Sequence, residues 1–335
     1  MRELEAALRA DLRDETQWSV YADWLESQGD PRAELIRYEQ RAVLTDDRAE
    51  AHQWRKRAEQ LFARDHRAWL GNLNSVQFEP TWTRGCVTEA RIMASPVGFT
   101  RALLGARLGR LAWRLSYDLL YDASLAAVAA VLADSSVDVV ELTRFRGEAL
   151  ASLAAVEGLR ELFVDRARIT DIEALGSLPA LERLCLRRCE LGLGAIAESG
   201  DFSALRHLEL VACRGPDSLT LELAGLARLD KLEVLSLSSA GVRDLDALGG
   251  LSQLRILDLS HVKWSLESGF EALLQLPKLE RIDVHDASRW ELQQSLDQVV
   301  EALQGRGVEV VRESARSRTR FEARPAWETA EVVEE

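Results

Sequence analysis

Ser239, His261 and Asp286 carry a hydroxyl, an imidazole and a carboxylate, and they stand 22 and 25 residues apart. Brought within hydrogen-bond reach, such groups can run a relay. The imidazole takes the hydroxyl proton and the carboxylate orients the ring, which is the chemistry of acyl transfer and hydrolysis. Only elements stacked one on another could assemble groups so far apart in the chain. No Gly-x-Ser-x-Gly elbow surrounds Ser239, and an open sheet face offers no set of oxyanion donors. Cys185, Cys189 and Cys213 could serve as soft metal ligands, but the Cys-x-x-x-Cys spacing has no second matching pair. Phosphate-cradling glycine loops and His-Glu-x-x-His are also absent from the sequence. The expectation is therefore a non-enzymatic chain with no cofactor and no metal. The Ser239, His261 and Asp286 column is kept as the hydrolase alternative.

The elements that must position these residues are repeats. Short segments reading "LRELFV" from 159, "LERLCL" from 181, "LRHLEL" from 205, "LEVLSL" from 232, "LRILDL" from 254 and "LERIDV" from 279 follow one another at spacings of 22, 24, 27, 22 and 25 residues. Each fits L-x-x-L-x-L, whose last apolar positions alternate with polar ones as in a half-buried strand. Weaker copies precede them at 137 ("VDVVEL"), 110 ("RLAWRL") and 87 ("VTEARI"). The return segments carry Ala-Leu-x-x-Leu at Ala174/Leu175/Leu178, Ala247/Leu248/Leu251 and Ala272/Leu273/Leu276, one apolar face of a helix or 3₁₀ turn. One such unit cannot bury both faces, so the units must stack.

This periodicity resembles the leucine-rich-repeat family, and the resemblance implies an α/β solenoid over 76–311 with a curved parallel sheet and a helical or 3₁₀ convex side. The sequence departs from the family in one column. Where Asn or Cys normally bonds the turn backbone, it has Ala167, Cys189, Cys213, Ala240, Val262 and Ala287, and the chain holds only two asparagines, Asn72 and Asn74. The turns must then be satisfied by backbone or water, with the two cysteines as small buried spacers.

In such a sheet the residue between the two strand leucines faces out of the concave side. That column reads Arg91, Arg114, Glu141, Phe163, Cys185, Glu209, Ser236, Asp258 and Asp283. The positions just after the strand add Arg144, Asp165, Arg166, Arg187 and Arg188, then Ser260, His261, His285 and Asp286. The expected face is basic in its first two thirds and acidic at its end, with Phe163 as an apolar anchor among arginines. Arginine and aromatic side chains are the usual anchors of protein interfaces. With a net charge of −13, and with 17 basic against 25 acidic residues in 159–311, the expected partner is a protein or peptide rather than nucleic acid or an anionic membrane. The sequence leaves the oligomeric state open.

Residues 1–72 read as four helices. Trp18, Tyr21, Ala22 and Leu25 share one face, Gly29 ends that helix, and Asp30-Pro31 starts the next. Asp23 lies on the opposite side, suited to capping or to pairing with an arginine. The run Tyr21-Ala22-Asp23-Trp24-Leu25-Glu26, then Gly29-Asp30-Pro31-Arg32 and Glu34-Leu35-Ile36, after Leu4-Glu5-Ala6-Ala7, resembles the bacterial repeat-companion domain. That resemblance covers about the first 45 residues and implies a small all-α unit, without enzymatic activity, capping the first coil. It also suggests a regulatory or adaptor component of a bacterial multi-protein system. The charged start and the few unpatterned cysteines fit the cytoplasm. A helix and an edge strand are expected over 296–311. After them a disordered or loosely docked tail, 312–335, is expected; where it docks, on a partner or on the solenoid, Phe321 and Trp327 are its anchors.

Overall fold

The computed structural model describes residues 2–73, 78–118, 120–146, 150–193, 202–216, 220–243, 245–264, 269–286 and 293–312. Ala287, Phe321 and Trp327, and with them nearly all of the expected tail, lie outside the described residues. The chain divides into two compact units, one ending at Leu115 and the other starting at Ser116.

The first unit holds α1 (Arg2–Ala10), α2 (Glu15–Ser27), α3 (Arg32–Leu44), whose N-cap is Pro31 without a side-chain cap rather than Asp30, and α4 (Arg48–Leu70). The Asp14 carboxylate caps α2 by accepting from the Gln17 N–H, and that of Asp47 caps α4 by accepting from Ala49 and Glu50. Trp18, Tyr21, Ala22 and Leu25 are buried, as their spacing requires. Gly29 takes φ +66° at the end of α2, a conformation that glycine adopts without a steric penalty. Arg32 is buried against Asp30 at 2.7 Å, and Arg37 reaches Asp23 at 3.0 Å. The core of Leu8, Trp18, Tyr21, Leu25 and Ile36 also takes in Cys86 and Leu111. After the helices, β1 (Phe78–Thr83) and β2 (Cys86–Ile92) form an antiparallel hairpin. The segment beginning at 87 is therefore a hairpin arm: a tight turn at Arg84-Gly85, both with positive φ, sends the chain back on itself.

The second unit is built from coils. The strands β3 (Arg114–Asp118), β4 (Val139–Thr143) and β5 (Glu161–Asp165) are followed by the two-residue β6 (Arg168–Ile169), then by β7 (Arg183–Arg187) and the short β8 (Glu190–Leu191). They continue as β9 (His207–Val211), β10 (Val234–Ser236), the short β11 (Gly241–Val242), β12 (Ile256–Asp258), the short β13 (Lys263–Trp264), β14 (Arg281–Asp283) and β15 (Glu309–Val311). The main strands lie in the order β3-β4-β5-β7-β9-β10-β12-β14-β15, and from β4 onward their pairings are parallel among the described residues. This is the stacked, mostly parallel sheet of an α/β solenoid. The return path is α6 (Asp122–Leu132; α5 is Pro96–Gly105 of the first unit) in one coil and 3₁₀ turns in five others, including Ile172–Ser177, Asp246–Gly250 and Phe270–Gln275. Leu175, Leu178, Leu248, Leu251, Leu273 and Leu276 are buried there, so the second apolar motif has the role its spacing predicts. The closing helix Gln293–Gly305 and the edge strand β15 complete the stack, matching the expectation for 296–311. No helix of the described residues is long and apolar enough to cross a membrane.

A second ladder runs along the corner where each strand ends. Arg144, Arg166, Arg188, Ala212, Ser239, His261 and Asp286 all have φ between +50° and +60°. Each of the first six donates its N–H to a carbonyl of the next coil: Arg144 to Asp165 at 3.0 Å, Arg166 to Arg187 at 2.9 Å, Arg188 to Val211 at 2.8 Å, Ala212 to Ser238 at 2.8 Å, Ser239 to Ser260 at 2.9 Å and His261 to His285 at 2.8 Å. These bonds satisfy the turn backbone without an asparagine. The thiols of Cys189 and Cys213 add contacts to the carbonyls of Val164 (3.5 Å) and Leu186 (3.3 Å), each in the preceding coil. Both cysteines are buried, with Ala167, Ala240 and Val262 filling the same column in other coils.

Candidate functional site

The column between the strand leucines is in register from Glu141 through Phe163, Cys185, Glu209, Ser236 and Asp258 to Asp283. It is not, however, an open face along its whole length. Cys185, Glu209, Ser236 and Asp258 are buried. Glu209 accepts from Arg183 at 2.8 Å and from the His207 ring at 2.9 Å, with Arg187 at 3.4 Å. Burial opposes its ionisation, but the hydrogen bonds and charges of His207 and Arg183 outweigh that and hold the carboxyl at about 2. Asp258 accepts from the Ser236 hydroxyl at 2.7 Å and from the Ser260 N–H at 2.9 Å. Asp283 accepts from the His285 N–H at 2.9 Å, and burial pushes its carboxyl up. Glu209 and Asp258 thus hold the solenoid together and are not presented to a partner.

Arg91 and Arg114 stand on β2 and β3, neighbouring strands of one sheet. Arg91 lies on β2 of the antiparallel hairpin, beside Glu79 at 3.9 Å. Arg114 opens β3, beside Glu89 at 4.0 Å, whereas Ser116 is the residue that donates to Glu141, at 2.9 Å. The copy beginning at 110 is therefore read two residues out of phase. Its apolar "LAW" run mimics the strand motif, but Leu111, Ala112 and Trp113 precede the strand.

The remaining arginines reach back across the coils. Arg144 pairs with Asp118 through Nε at 2.8 Å, and Arg188 with Asp165 at 2.6 Å. Arg166 also approaches Asp165, at 3.6 Å. Further along the corner Arg168 and Arg214 share Glu190, at 3.2 and 2.8 Å. Arg166, Arg168, Arg188 and Arg214 line one groove of about 420 Å³ with Cys189 and Glu190. A smaller depression of about 150 Å³ adjoins it through Arg188 and is lined by Glu141, Thr143, Phe163, Cys185 and Arg187. Phe163 is half-buried, with the Arg183 guanidinium 5.4 Å from its ring centroid. Sequence columns pointed to Arg166 and Arg188. They missed Arg168 and Arg214, which sit on the short strand run beyond the corner, a second ladder with its own phase.

At the far end His261, His285 and Asp286 converge. His261 Nδ1 and His285 Nε2 lie 3.5 and 3.2 Å from Asp286 Oδ2, and the two rings stand nearly perpendicular at 5.0 Å. Ser239 occupies the same corner two coils before Asp286, but no hydrogen bond joins its hydroxyl to His261 among the described residues. The relay geometry required of a hydrolase is therefore incomplete at its nucleophile.

No protein-family model matches the chain, and no curated protein matches it. Among solved structures the chain is similar to an internalin C2 from Listeria monocytogenes, with 17% identity over 58% of this chain and 78% of that one and a TM-score of 0.40. It is also similar to a leucine-rich-repeat protein of Leptospira interrogans, with 14% identity, 53% and 50% coverage and a TM-score of 0.39. An internalin of Listeria monocytogenes gives 14% identity, 67% and 81% coverage and a TM-score of 0.32. The functional reading below comes from this chain's own residues.

Proposed function

We propose that this protein is a non-enzymatic interaction module that captures an acidic segment of a partner protein at the arginine corner of its solenoid. One observation carries this reading: among the described residues, four guanidiniums line a single groove and share two carboxylates, Asp165 and Glu190. The described ion pairs there set four guanidiniums against two carboxylates, in a chain whose net charge is −13. Guanidinium groups offer paired donors that match carboxylates, and neighbouring coils hold them at fixed spacing, so little ordering is lost on binding. Phe163 and Arg187, in the adjoining depression, supply an apolar anchor and a further cation. A role as a cytoplasmic regulatory or adaptor subunit of a bacterial multi-protein system fits this reading, as does a repeat-companion-like unit at residues 1–72. The support for both is the resemblance of the first 45 residues.

The test is affinity purification from the native host with the wild-type chain and an Arg166→Glu/Arg188→Glu variant side by side, each checked for an unchanged melting curve. A protein recovered with the wild type and reduced by roughly tenfold or more with the variant is the expected result. Recovery of the same proteins in the same amounts by both chains removes the corner as the binding surface.

A further inference from the structure

His285 Nδ1 lies 3.3 Å from the carbonyl oxygen of Arg312. A carbonyl only accepts, so Nδ1 carries the ring hydrogen. In the neutral imidazole that leaves a lone pair on Nε2, and Nε2 points at Asp286 Oδ2 from 3.2 Å. His261 Nδ1 approaches the same oxygen to 3.5 Å, and each of the three residues offers one ligand atom within 4.8 Å of the others. Electron pairs facing a carboxylate at this distance repel unless a positive charge lies between them. The separations suit a metal ion: tetrahedral ligands about 2.0–2.1 Å from zinc stand about 3.3 Å apart.

The surroundings suit it as well. A histidine that binds a metal ordinarily donates its other ring N–H to a backbone carbonyl or a carboxylate, which fixes its tautomer and aim. The Arg312 carbonyl provides that contact to His285. The backbones are fixed too, since the His261 N–H donates to the His285 carbonyl at 2.8 Å and Asp283 receives the His285 N–H at 2.9 Å. His261 and Asp286 are exposed on one side, which leaves room for a fourth ligand from solvent. Two imidazoles with one carboxylate favour a borderline ion such as Zn²⁺ over Mg²⁺ or Ca²⁺, which prefer all-oxygen shells.

We propose that His261 Nδ1, His285 Nε2 and Asp286 Oδ2 form a three-ligand site for a divalent ion of the zinc type, with its fourth position open to solvent. The site is separate from the arginine corner, and its test does not depend on any partner.

The full chain, stripped with a chelator, is titrated with Co²⁺ while visible absorption is followed, and then with Zn²⁺ in competition. The expected result is one equivalent of Co²⁺ with the strong absorption of tetrahedral coordination, displaced by Zn²⁺. His285→Ala and Asp286→Asn should each weaken binding by at least about tenfold, and His285→Gln serves if the alanine variant does not fold. A His52→Ala variant, which removes the exposed histidine of α4, should bind as the wild type does. Three results would each overturn the site: no stoichiometric binding, binding that survives loss of His285, or only the weak spectrum of octahedral Co²⁺.

Discussion

The buried carboxylate of Glu209 shows how much one residue can carry in a repeat protein. It sits on the strand face, yet its exposure is only 4%, and Arg183 and His207 are its partners. Removing one partner of such a pair strands the other in a dry environment, which is costly. The linkage has a definite sign. The folded carboxyl titrates at about 2, below its ordinary 4.5, so its contribution is complete above about pH 4.5 and is lost as pH falls toward 2. The shift corresponds to about 3 kcal/mol, read as an order of magnitude. Glu209→Gln should flatten the dependence of unfolding free energy on pH between about 4.5 and 3, as measured by denaturant titration. Parallel slopes for the two chains would rule out Glu209 as the source.

At the scale of the element, the corner is where the backbone departs most from what side chains prefer. Seven residues, none of them glycine or asparagine, adopt the left-handed conformation, and the first six each donate an N–H to the next coil. That conformation costs an L-residue about 1–2 kcal/mol. Glycine avoids the cost but loses about 0.5–1 kcal/mol through the freedom of the unfolded chain. Ala212→Gly, which removes no functional group, is therefore expected to stabilise by about 0.5 kcal/mol. Ala129→Gly, within α6, should destabilise by at least about 1 kcal/mol. Opposite signs in thermal melts of the two variants support the account. A loss of stability in both would show that the corner is unstrained.

At the scale of the molecule, the coils are bonded only to their neighbours, so the ends matter. β15 covers the edge of β14, and the closing helix buries Leu296, Val299, Val300 and Leu303. The Arg306 guanidinium fastens that helix to the carbonyls of Leu274 and Leu276 at 2.7 and 2.8 Å. A chain ending at Asp286 would present an unpaired parallel edge and an apolar flank. It should self-associate in size-exclusion chromatography with light scattering, and its melting should broaden. A sharp-melting monomer would mean that the coils before Asp286 are a finished unit without this cap.

Composition and spacing alone determined the coils. The alternation of leucines, the 3₁₀ motif at Ala174, Ala247 and Ala272, and the helical face of Trp18 to Leu25 are local patterns, because burying one face of a strand or helix fixes its residues at short range. The chain from Glu141 to Asp283 could therefore be aligned correctly by eye. Tertiary structure alone decided which of those residues remained available. Spacings of 22, 24, 27 and 25 residues set how far each arginine reaches into the next coil, and no local pattern encodes that. Hence Glu209 and Asp258 are internal, and Arg168 and Arg214 join Arg166 and Arg188 in one groove. Two histidines from successive coils meet one carboxylate for the same reason: stacking, not sequence proximity, sets the distances between their donor atoms.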